Sequence, residues 1–224
     1  MAGKLYVVAT PIGNLKDITL RALETLKEVD IIACENANRH LKLLSHFEIK
    51  KRVIEYSPKN EEQSANGILK LILEGKNIAL VSDAGTPLIS DPGKKLISLL
   101  KEKGVKIIPI PGVSALTTIM SIANFPAKNI IFLGFLPKTE GKIKKELTKF
   151  IDIEATIVFF TSSYQIKKIL DIINKIYGNV EIIIGREMTK ENEEFIQGHL
   201  QDIVNTGFKE LGEFTVAFLN NAKD

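Results

Sequence analysis

The chain of 224 residues has little of three residue types that build reactive centres: it contains one cysteine, three histidines and no tryptophan. With Cys34 alone, neither an intrachain disulfide nor a zinc site of several thiolates can form. His40 and His46 are six positions apart and do not share a helix face, so a metal site would depend on carboxylates, and none is predicted. Cys34 itself ends a predicted strand and is interpreted as a small core residue.

Charge of one sign and long apolar runs are also scarce. Thirty lysines and arginines face 27 aspartates and glutamates, and the net charge of +3 is too small to indicate a nucleic-acid-binding protein by itself. No apolar run approaches the ~18 residues of a membrane span, and no small-residue cleavage site follows the first residues. Together with the low cysteine content, these absences predict a cytoplasmic protein without membrane association.

What the sequence does contain is an alternation of short β-branched runs with longer amphipathic stretches, which is typical of βαβ units. Strands are predicted over 5–10, 30–35, 52–57, 77–83, 106–110, 129–136, 156–162, 181–188, 193–198 and 212–219. Helices are predicted between them, among others over 19–29, 91–103, 114–123, 138–151 and 164–177. Asp91 is predicted to cap the start of its helix.

Two prolines and a glycine at 109–112 interrupt this pattern and predict a domain boundary. The fold class is therefore α/β, with an N-terminal domain over 1–112 and a C-terminal domain over 113–224 that share a cleft. The first sheet is expected to be mainly parallel. The second is expected to be mixed or antiparallel, because its last strands leave little room for crossover helices.

Three unusual loops follow predicted strands of the first domain, at 9–15, 81–93 and 111–115. Ligands of open α/β sheets bind where strands end and helices begin. None of the loops has the glycine pattern of a dinucleotide fingerprint or of a phosphate-binding loop, which disfavours both classes. Asp83 can accept hydrogen bonds from a ligand. Gly85, which has no side chain, lets the main chain approach a ligand closely. The alternative is that the polar residues, Asp83 and Ser114 included, only cap helices or stabilise turns.

The loops occur within longer strings that resemble the tetrapyrrole methylase superfamily. The most specific strings are TPIGNL-x-D-x-T at 10–19 and SDAGTP-x-x-x-DPG at 82–93, and weaker ones are GFLP at 134–137, REMTK at 186–190 and GEF at 212–214. The resemblance runs over nearly the whole chain. It implies two α/β domains with S-adenosylmethionine bound in the cleft between them.

Within the superfamily, these strings are similar to the branch that methylates the ribose 2′-hydroxyl of a cytidine in small-subunit (16S) ribosomal RNA. That branch implies a homodimer acting on the small ribosomal subunit. A methylase of tetrapyrroles is the enzymatic alternative, and TPIGNL in place of a glycine-rich first loop disfavours it.

The resemblance also implies which residues hold the cofactor. In the first domain and at the boundary these are Pro11, Ser82, Asp83, Ala84, Thr86, Ser114 and Ala115; in the second domain they are Ser162, Met188 and Thr215. Methyl transfer is an in-line displacement and needs no covalent nucleophile. Glu35 and Glu187 are the candidate proton acceptors, with a structural ion pair to Arg39 or Arg186 as the alternative for each.

RNA contacts are predicted for Arg39, Lys142, Lys144 and Lys145. The segment 138–149 carries five lysines against two glutamates, so one helix face can lie along phosphates. A solvated helix face is the alternative.

Two segments depart from the pattern of the family. Where the family has A-E-D-T-R-H, this chain has CENANR at 34–39, with Arg39 one place late; where it has Y-E-S-x-H-R, this chain has FTSSYQ at 160–165. These departures keep open a catalytically weakened relative that binds the cofactor or the ribosome without transferring a methyl group.

Overall fold

The computed structural model describes residues 2–221, which pack into two compact units that divide between Ser114 and Ala115. This division lies two residues after the boundary predicted from the sequence. Within the described residues, no helix has the length and apolarity that a membrane crossing requires.

The first unit is a five-stranded sheet of order β3-β2-β4-β1-β5 in which all paired strands are parallel. Its strands are β1 (Leu5–Val8), β2 (Ile31–Cys34), β3 (Arg52–Glu55), β4 (Ile78–Val81) and β5 (Ile107–Ile110). Its helices are α1 (Leu20–Glu28), α2 (Ala37–His46), α3 (Glu61–Leu73) and α4 (Lys94–Glu102). Since β1 and β4 are neighbours, the loops that follow them are brought side by side.

Helices cover both faces of this sheet, which explains why β2 and β4 are apolar throughout. Side chains of α1 and α2 pack on one face, with Leu26 and Leu44 in the same buried cluster as Ile32. Those of α3 and α4 pack on the other face, with Ile72 and Leu100. Cys34 belongs to the first of these clusters and is fully buried.

The second unit is a five-stranded mixed sheet of order β6-β7-β10-β8-β9, in which only the β6–β7 pair is parallel. Its strands are β6 (Ile130–Phe135), β7 (Ala155–Ser162), β8 (Glu181–Arg186), β9 (Glu194–His199) and β10 (Glu213–Asn220). Its helices are α5 (Ala115–Met120), α6 (Glu140–Thr148), α7 (Ile166–Tyr177) and α8 (Leu200–Thr206). A parallel first sheet and a mixed second sheet confirm the fold class predicted from the sequence.

One helix prediction needs correction. Helix α4 begins at Lys94 with Gly93 as its N-cap, so Asp91 does not cap it. Gly93 has a φ of +136°, a conformation that favours glycine and sets the start of the helix. Helix α8 lies between β9 and β10, in the part of the chain where the closely spaced strands leave little room for crossover helices.

Side-chain caps fix the helices that begin beside the predicted site. Thr19 Oγ1 accepts a hydrogen bond from the Ala22 N–H at the start of α1, at 3.1 Å. Asn36 Oδ1 accepts one from the Arg39 N–H at the start of α2, at 3.2 Å. Asn36 therefore provides the N-cap that an aspartate would provide in the family pattern.

Candidate active site

The loops that follow β1 and β4 are joined through their main chains. Thr10 and Gly85 form an isolated bridge, with both N–H···O distances at 2.9 Å, and Thr10 Oγ1 donates to the Ser82 carbonyl at 2.8 Å. Gly85 has a φ of +80°, and a Cβ there would lie 3.3 Å from Ile12. The bridge therefore requires glycine at this position.

The loop after β5 joins the same assembly. Thr86 Oγ1 donates to the Val113 carbonyl at 3.2 Å. A Cβ on Gly112 would lie 3.0 Å from the Ala9 Cβ, so this loop passes close to the end of β1. The three loops singled out in the sequence thus meet at the carboxyl ends of the strands of the first sheet, which we call the edge of the first sheet. They bring Pro11, Ser82 and Thr86 together.

The β4–α4 loop holds strained backbone as well. Leu88 and Ser90 have φ values of +71° and +68°, which lie in the left-handed region that side chains disfavour. Such conformations cost of order 1–3 kcal/mol each and cluster at functional sites. The strain falls between Asp83 and Asp91, in the loop with the most specific sequence string.

Asp83 lies between two residues of α2 that the sequence did not connect with it. Arg39 Nη1 is 3.5 Å from Asp83 Oδ2, and His40 Nε2 is 3.4 Å from Asp83 Oδ1. The contact of Arg39 with RNA stays a prediction, and its guanidinium faces the loop carboxylate. Arg39 thereby supplies a positive charge beside the loop although it stands one place later than the family pattern.

Two buried polar atoms at this position, His40 Nε2 and Asp83 Oδ1, face each other at 3.4 Å, and neither makes a well-aligned hydrogen bond within the described residues. His40 is 3% exposed, and burial lowers the pKa of its imidazole although the nearby Asp83 opposes this shift. A buried carboxylate oxygen that lacks a well-aligned donor keeps the capacity to accept a hydrogen bond. The partly exposed Asp83 carboxylate therefore fits an acceptor for a bound amine or hydroxyl.

A cavity of about 10 Å³ lies behind this loop and is lined by Glu35, Tyr56, Ser82 and Asp91, among others. This volume is about that of one water molecule. Asp91 Oδ2 is buried and makes no hydrogen bond within the described residues. Burial raises the pKa of Asp91 to about 6; Ser82 opposes the shift, and the nearby charges of Glu35 and Asp83 add to it.

Replacing Asp91 with asparagine is expected to remove a pH-dependent cost. The folded protein binds the Asp91 proton more tightly than the unfolded chain does, so stability falls as pH rises from about 4 to about 6. After allowance for partial solvent contact, we expect the variant to gain about 1–2 kcal/mol over wild type across this range. Urea unfolding at pH values on either side measures the gain. Asp171→Asn, at an exposed position, is the control; a gain that does not change with pH would contradict the prediction.

At one edge of the second sheet, Glu187 is held by three groups. Its Oε1 accepts from the Glu213 N–H at 2.8 Å and from Lys190 Nζ at 3.0 Å, while its own N–H donates to the Glu213 carbonyl. Burial alone would raise the pKa of Glu187, but the Glu213 N–H and Lys190 lower it overall. The absence of a side chain at Gly212 leaves room for Glu187, since a Cβ there would lie 2.8 Å from Glu187 Cγ. Glu187 is thus a weak proton acceptor held in a fixed position.

Arg186 precedes this carboxylate and forms the buried ion pair of the second unit. Its Nε donates to Glu194 Oε2 at 2.7 Å and its Nη1 to the Leu211 carbonyl at 3.2 Å, with the arginine side chain 7% exposed. The alternative foreseen for Glu187, an ion pair with Arg186, is not what the structure shows. Arg186 pairs with Glu194, and Glu187 pairs with Lys190.

Replacing Glu194 with alanine is expected to destabilise the second unit by about 2–3 kcal/mol, because it leaves a buried guanidinium without its counter-ion. For a chain of this size the melting temperature falls by about 4–10 °C. Thermal unfolding followed by circular dichroism measures the shift. Glu191→Ala, an exposed change in the same segment, is the control. Equal melting temperatures for the two variants would show that the ion pair adds no stability.

The three cofactor residues predicted in the second unit lie near the same edge of its sheet. Ser162 ends β7 and pairs with Glu213, and Thr215 is buried two residues further into β10. Met188 is buried, and a Cβ on Gly185 would lie 2.7 Å from its sulfur. The structure therefore places these residues together, and their contact with a cofactor stays a prediction.

The lysines predicted to contact RNA differ in their partners. Lys144 Nζ is 2.8 Å from Glu140 Oε1 on the same helix. Within residues 2–221, neither Lys142 nor Lys145 has a carboxylate within ion-pair distance. Their ammonium groups are therefore the better placed for phosphates.

The family model for tetrapyrrole (corrin/porphyrin) methylases matches residues 4–204. The chain therefore belongs to the tetrapyrrole methylase family. Solved structures agree in fold: the methyltransferase CobJ superposes with a TM-score of 0.74 at 18% identity, covering 100% of this chain and 96% of that one. A cobalt precorrin-4 methyltransferase superposes with a TM-score of 0.68 at 19% identity, covering 99% and 96%.

More similar in sequence are proteins named ribosomal RNA small subunit methyltransferase I. The one from Thermotoga maritima is 43% identical over 217 residues, which are 96% of this chain and 97% of that protein. The one from Halalkalibacterium halodurans is 42% identical over 203 residues, 91% of this chain and 70% of that protein. The chain thus resembles this branch of the family over nearly its whole length.

Proposed function

We propose that the chain is an S-adenosylmethionine-dependent methyltransferase that methylates the ribose 2′-hydroxyl of a cytidine in small-subunit ribosomal RNA. The observation that carries the proposal is the carboxyl end of the first sheet, where three joined loops present the Asp83 carboxylate, whose Oδ1 faces His40 Nε2 at 3.4 Å without a well-aligned hydrogen bond within the described residues. The identity of about 40% with methyltransferases named for that RNA supports the substrate class.

The first unit offers groups that fit the cofactor. Asp83 accepts a hydrogen bond from its amine or a hydroxyl, and Gly85 lets the main chain approach closely. S-adenosylmethionine supplies the activated methyl group. The cofactor residues that stay predictions are Pro11, Ser82, Ala84, Thr86, Ser114, Ala115, Ser162, Met188 and Thr215.

Of the two predicted proton acceptors, Glu35 fits the role better. It is exposed at the end of β2, directly before the N-cap of α2, and shares the small cavity with Asp91. Glu187 is engaged by Lys190 and by the Glu213 N–H, which lower its pKa and its strength as a base. Glu35 takes the hydroxyl proton as the oxygen acquires the methyl group, and Glu187 fixes the turn after β8 to the start of β10.

The proposal is tested by incubating the protein with radiolabelled S-adenosylmethionine and small ribosomal subunits that lack the modification. We expect label on a cytidine ribose, located by nuclease digestion and mass spectrometry. Label transferred to a tetrapyrrole instead would support the other branch of the family. Cofactor binding without transfer would support a weakened relative, in keeping with the altered segments 34–39 and 160–165.

Two further features belong to the proposal. Such a methyltransferase acts in the cytoplasm, where its RNA substrate is. A homodimer would present two copies of the α6 lysines, Lys142 and Lys145 among them, to one RNA, and sedimentation of the purified protein tests this.

A further inference from the structure

Tyr164 is exposed to an unusual degree in a chain with few aromatic residues. It lies in the turn between β7 and α7, and 93% of it is accessible to solvent, whereas Tyr56 and Tyr177 are buried. Aromatic side chains normally bury most of their surface in a core. Phe135, at the end of the neighbouring strand β6, is 65% exposed. Two aromatic side chains are thus presented to solvent from adjacent strand ends.

The loops that carry them are in contact. Gln165 Nε2 donates to the Pro137 carbonyl at 3.4 Å, and Lys168 Nζ donates to the Lys138 carbonyl at 3.0 Å. The Tyr164 turn therefore lies on the segment that leads into α6. Its position is fixed by the loops around it rather than by contacts of the Tyr164 ring.

Lysines surround this pair of loops. Lys138 lies in the segment that leads into α6. Lys142 lies in the first turn of α6, and Lys168 lies in the first turn of α7. Glu140 is the carboxylate among them, and Lys144 lowers its pKa most, with Lys175 and Lys168 adding to the effect. Glu140 forms its direct ion pair with Lys144, and Lys168 interacts with it only at longer range. Lys168 still has two N–H donors after its bond to Lys138.

This surface lies at the edge where the predicted cofactor residues of the second unit are. Strands β6 and β7 are parallel and end there, and Ser162 at the end of β7 pairs with Glu213 at the start of β10. Tyr164 follows Ser162 by two residues. A group stacked on Tyr164 would therefore lie near the residues predicted to hold the methyl donor.

An exposed aromatic ring beside unneutralised lysines matches single-stranded RNA better than a protein surface. Every base has a face that stacks on an aromatic ring, and the flanking phosphates pair with lysines. A stable protein interface would need a larger apolar area than two aromatic side chains provide. We propose that Tyr164 stacks on an unpaired base of the RNA substrate while Lys138 and Lys168 hold its flanking phosphates. The inference rests on the proposed function and identifies residues that bind the RNA substrate.

The absence of tryptophan elsewhere gives this proposal a direct test. Tyr164→Trp makes the only tryptophan of the protein, and its indole stacks at least as well as the phenol ring. We expect its fluorescence to be quenched when a short single-stranded RNA containing cytidine is added. The same RNA annealed to its complement should quench much less, because its bases are already stacked.

Tyr164→Ala is expected to weaken binding of that single-stranded RNA by about 5- to 50-fold, the effect of losing one stacked base. Its affinity for S-adenosylmethionine, measured by calorimetry, should stay within about twofold of wild type, which separates this loss from misfolding. Leu73→Ala, at an exposed position on α3, is the control and should bind RNA as wild type does.

The outcomes separate this inference from the proposed function. Wild-type transfer to small-subunit RNA with equal RNA binding by Tyr164→Ala would overturn the stacking role and leave the function intact. Absence of RNA methylation by wild type would overturn both. A Tyr164→Ala variant that loses self-association and keeps RNA binding would show that a second copy of this chain covers the ring instead.

Discussion

Replacing Asp83 with alanine is expected to weaken S-adenosylmethionine binding by about 10- to 100-fold. Within residues 2–221 the carboxylate has a buried oxygen without a well-aligned hydrogen bond, and a hydrogen bond to a charged group contributes roughly 1.5–3 kcal/mol. The Arg39 guanidinium that loses its partner is half exposed and is readily solvated, so folding should be little affected. Isothermal calorimetry of the purified variant measures the change in affinity.

Two further variants define what the Asp83 result means. Asp83→Asn keeps one acceptor oxygen and should lose less affinity than Asp83→Ala. Asp171→Ala removes an exposed carboxylate from α7 and should bind the cofactor as wild type does. If Asp83→Ala binds with unchanged affinity, the edge of the first sheet does not hold the cofactor through this side chain.

Glu35→Gln is expected to lower the rate of methyl transfer to RNA by about 100-fold or more, in the usual range for loss of a general base. Glutamine has the same shape but cannot take the proton from the ribose hydroxyl. Cofactor affinity should change little, because Glu35 is assigned to the hydroxyl and not to the methyl donor. The loss should therefore appear in single-turnover rates and become smaller as pH rises, when more of the hydroxyl is ionised.

Two matched substitutions serve as controls for Glu35→Gln. Glu55→Gln changes an exposed carboxylate at the end of β3, the neighbouring strand, and should leave the rate intact. Glu187→Gln should have a smaller effect that appears mainly in stability. A large rate loss in Glu187→Gln with none in Glu35→Gln would reverse the assignment of the two carboxylates.

The strands and the three loops at the edge of the first sheet were predictable from sequence for a physical reason. Strands buried on both faces, such as β2 and β4, must be apolar throughout and are easily recognised. Loops with proline, glycine and aspartate at fixed places, such as 82–93, have few backbone alternatives. The sequence therefore located the edge of the sheet and the segments that form it.

The pairing of side chains at that edge was not predictable. Arg39 and Asp83 are 44 residues apart, and nothing local in the sequence indicates that α2 faces the β4 loop. The frequency of aspartate at helix starts predicts Asp91 as a cap, whereas the left-handed Gly93 is the N-cap of the helix. The exposure of Tyr164 depends on the contacts that hold the β7–α7 turn in place. The hydrophobic periodicity of the sequence does not indicate such contacts.

The burial of Cys34 has a practical consequence for the chemistry of the whole molecule. Its Sγ lies in the core of the first unit, 3.9 Å from the Ile54 carbonyl, and burial raises the pKa of the thiol to about 12. Alkylating reagents and peroxides react with accessible thiolates, so the folded protein should be inert towards both. A cysteine engineered into a surface turn would then be the sole attachment point for a dye or spin label, with no need to remove the native one.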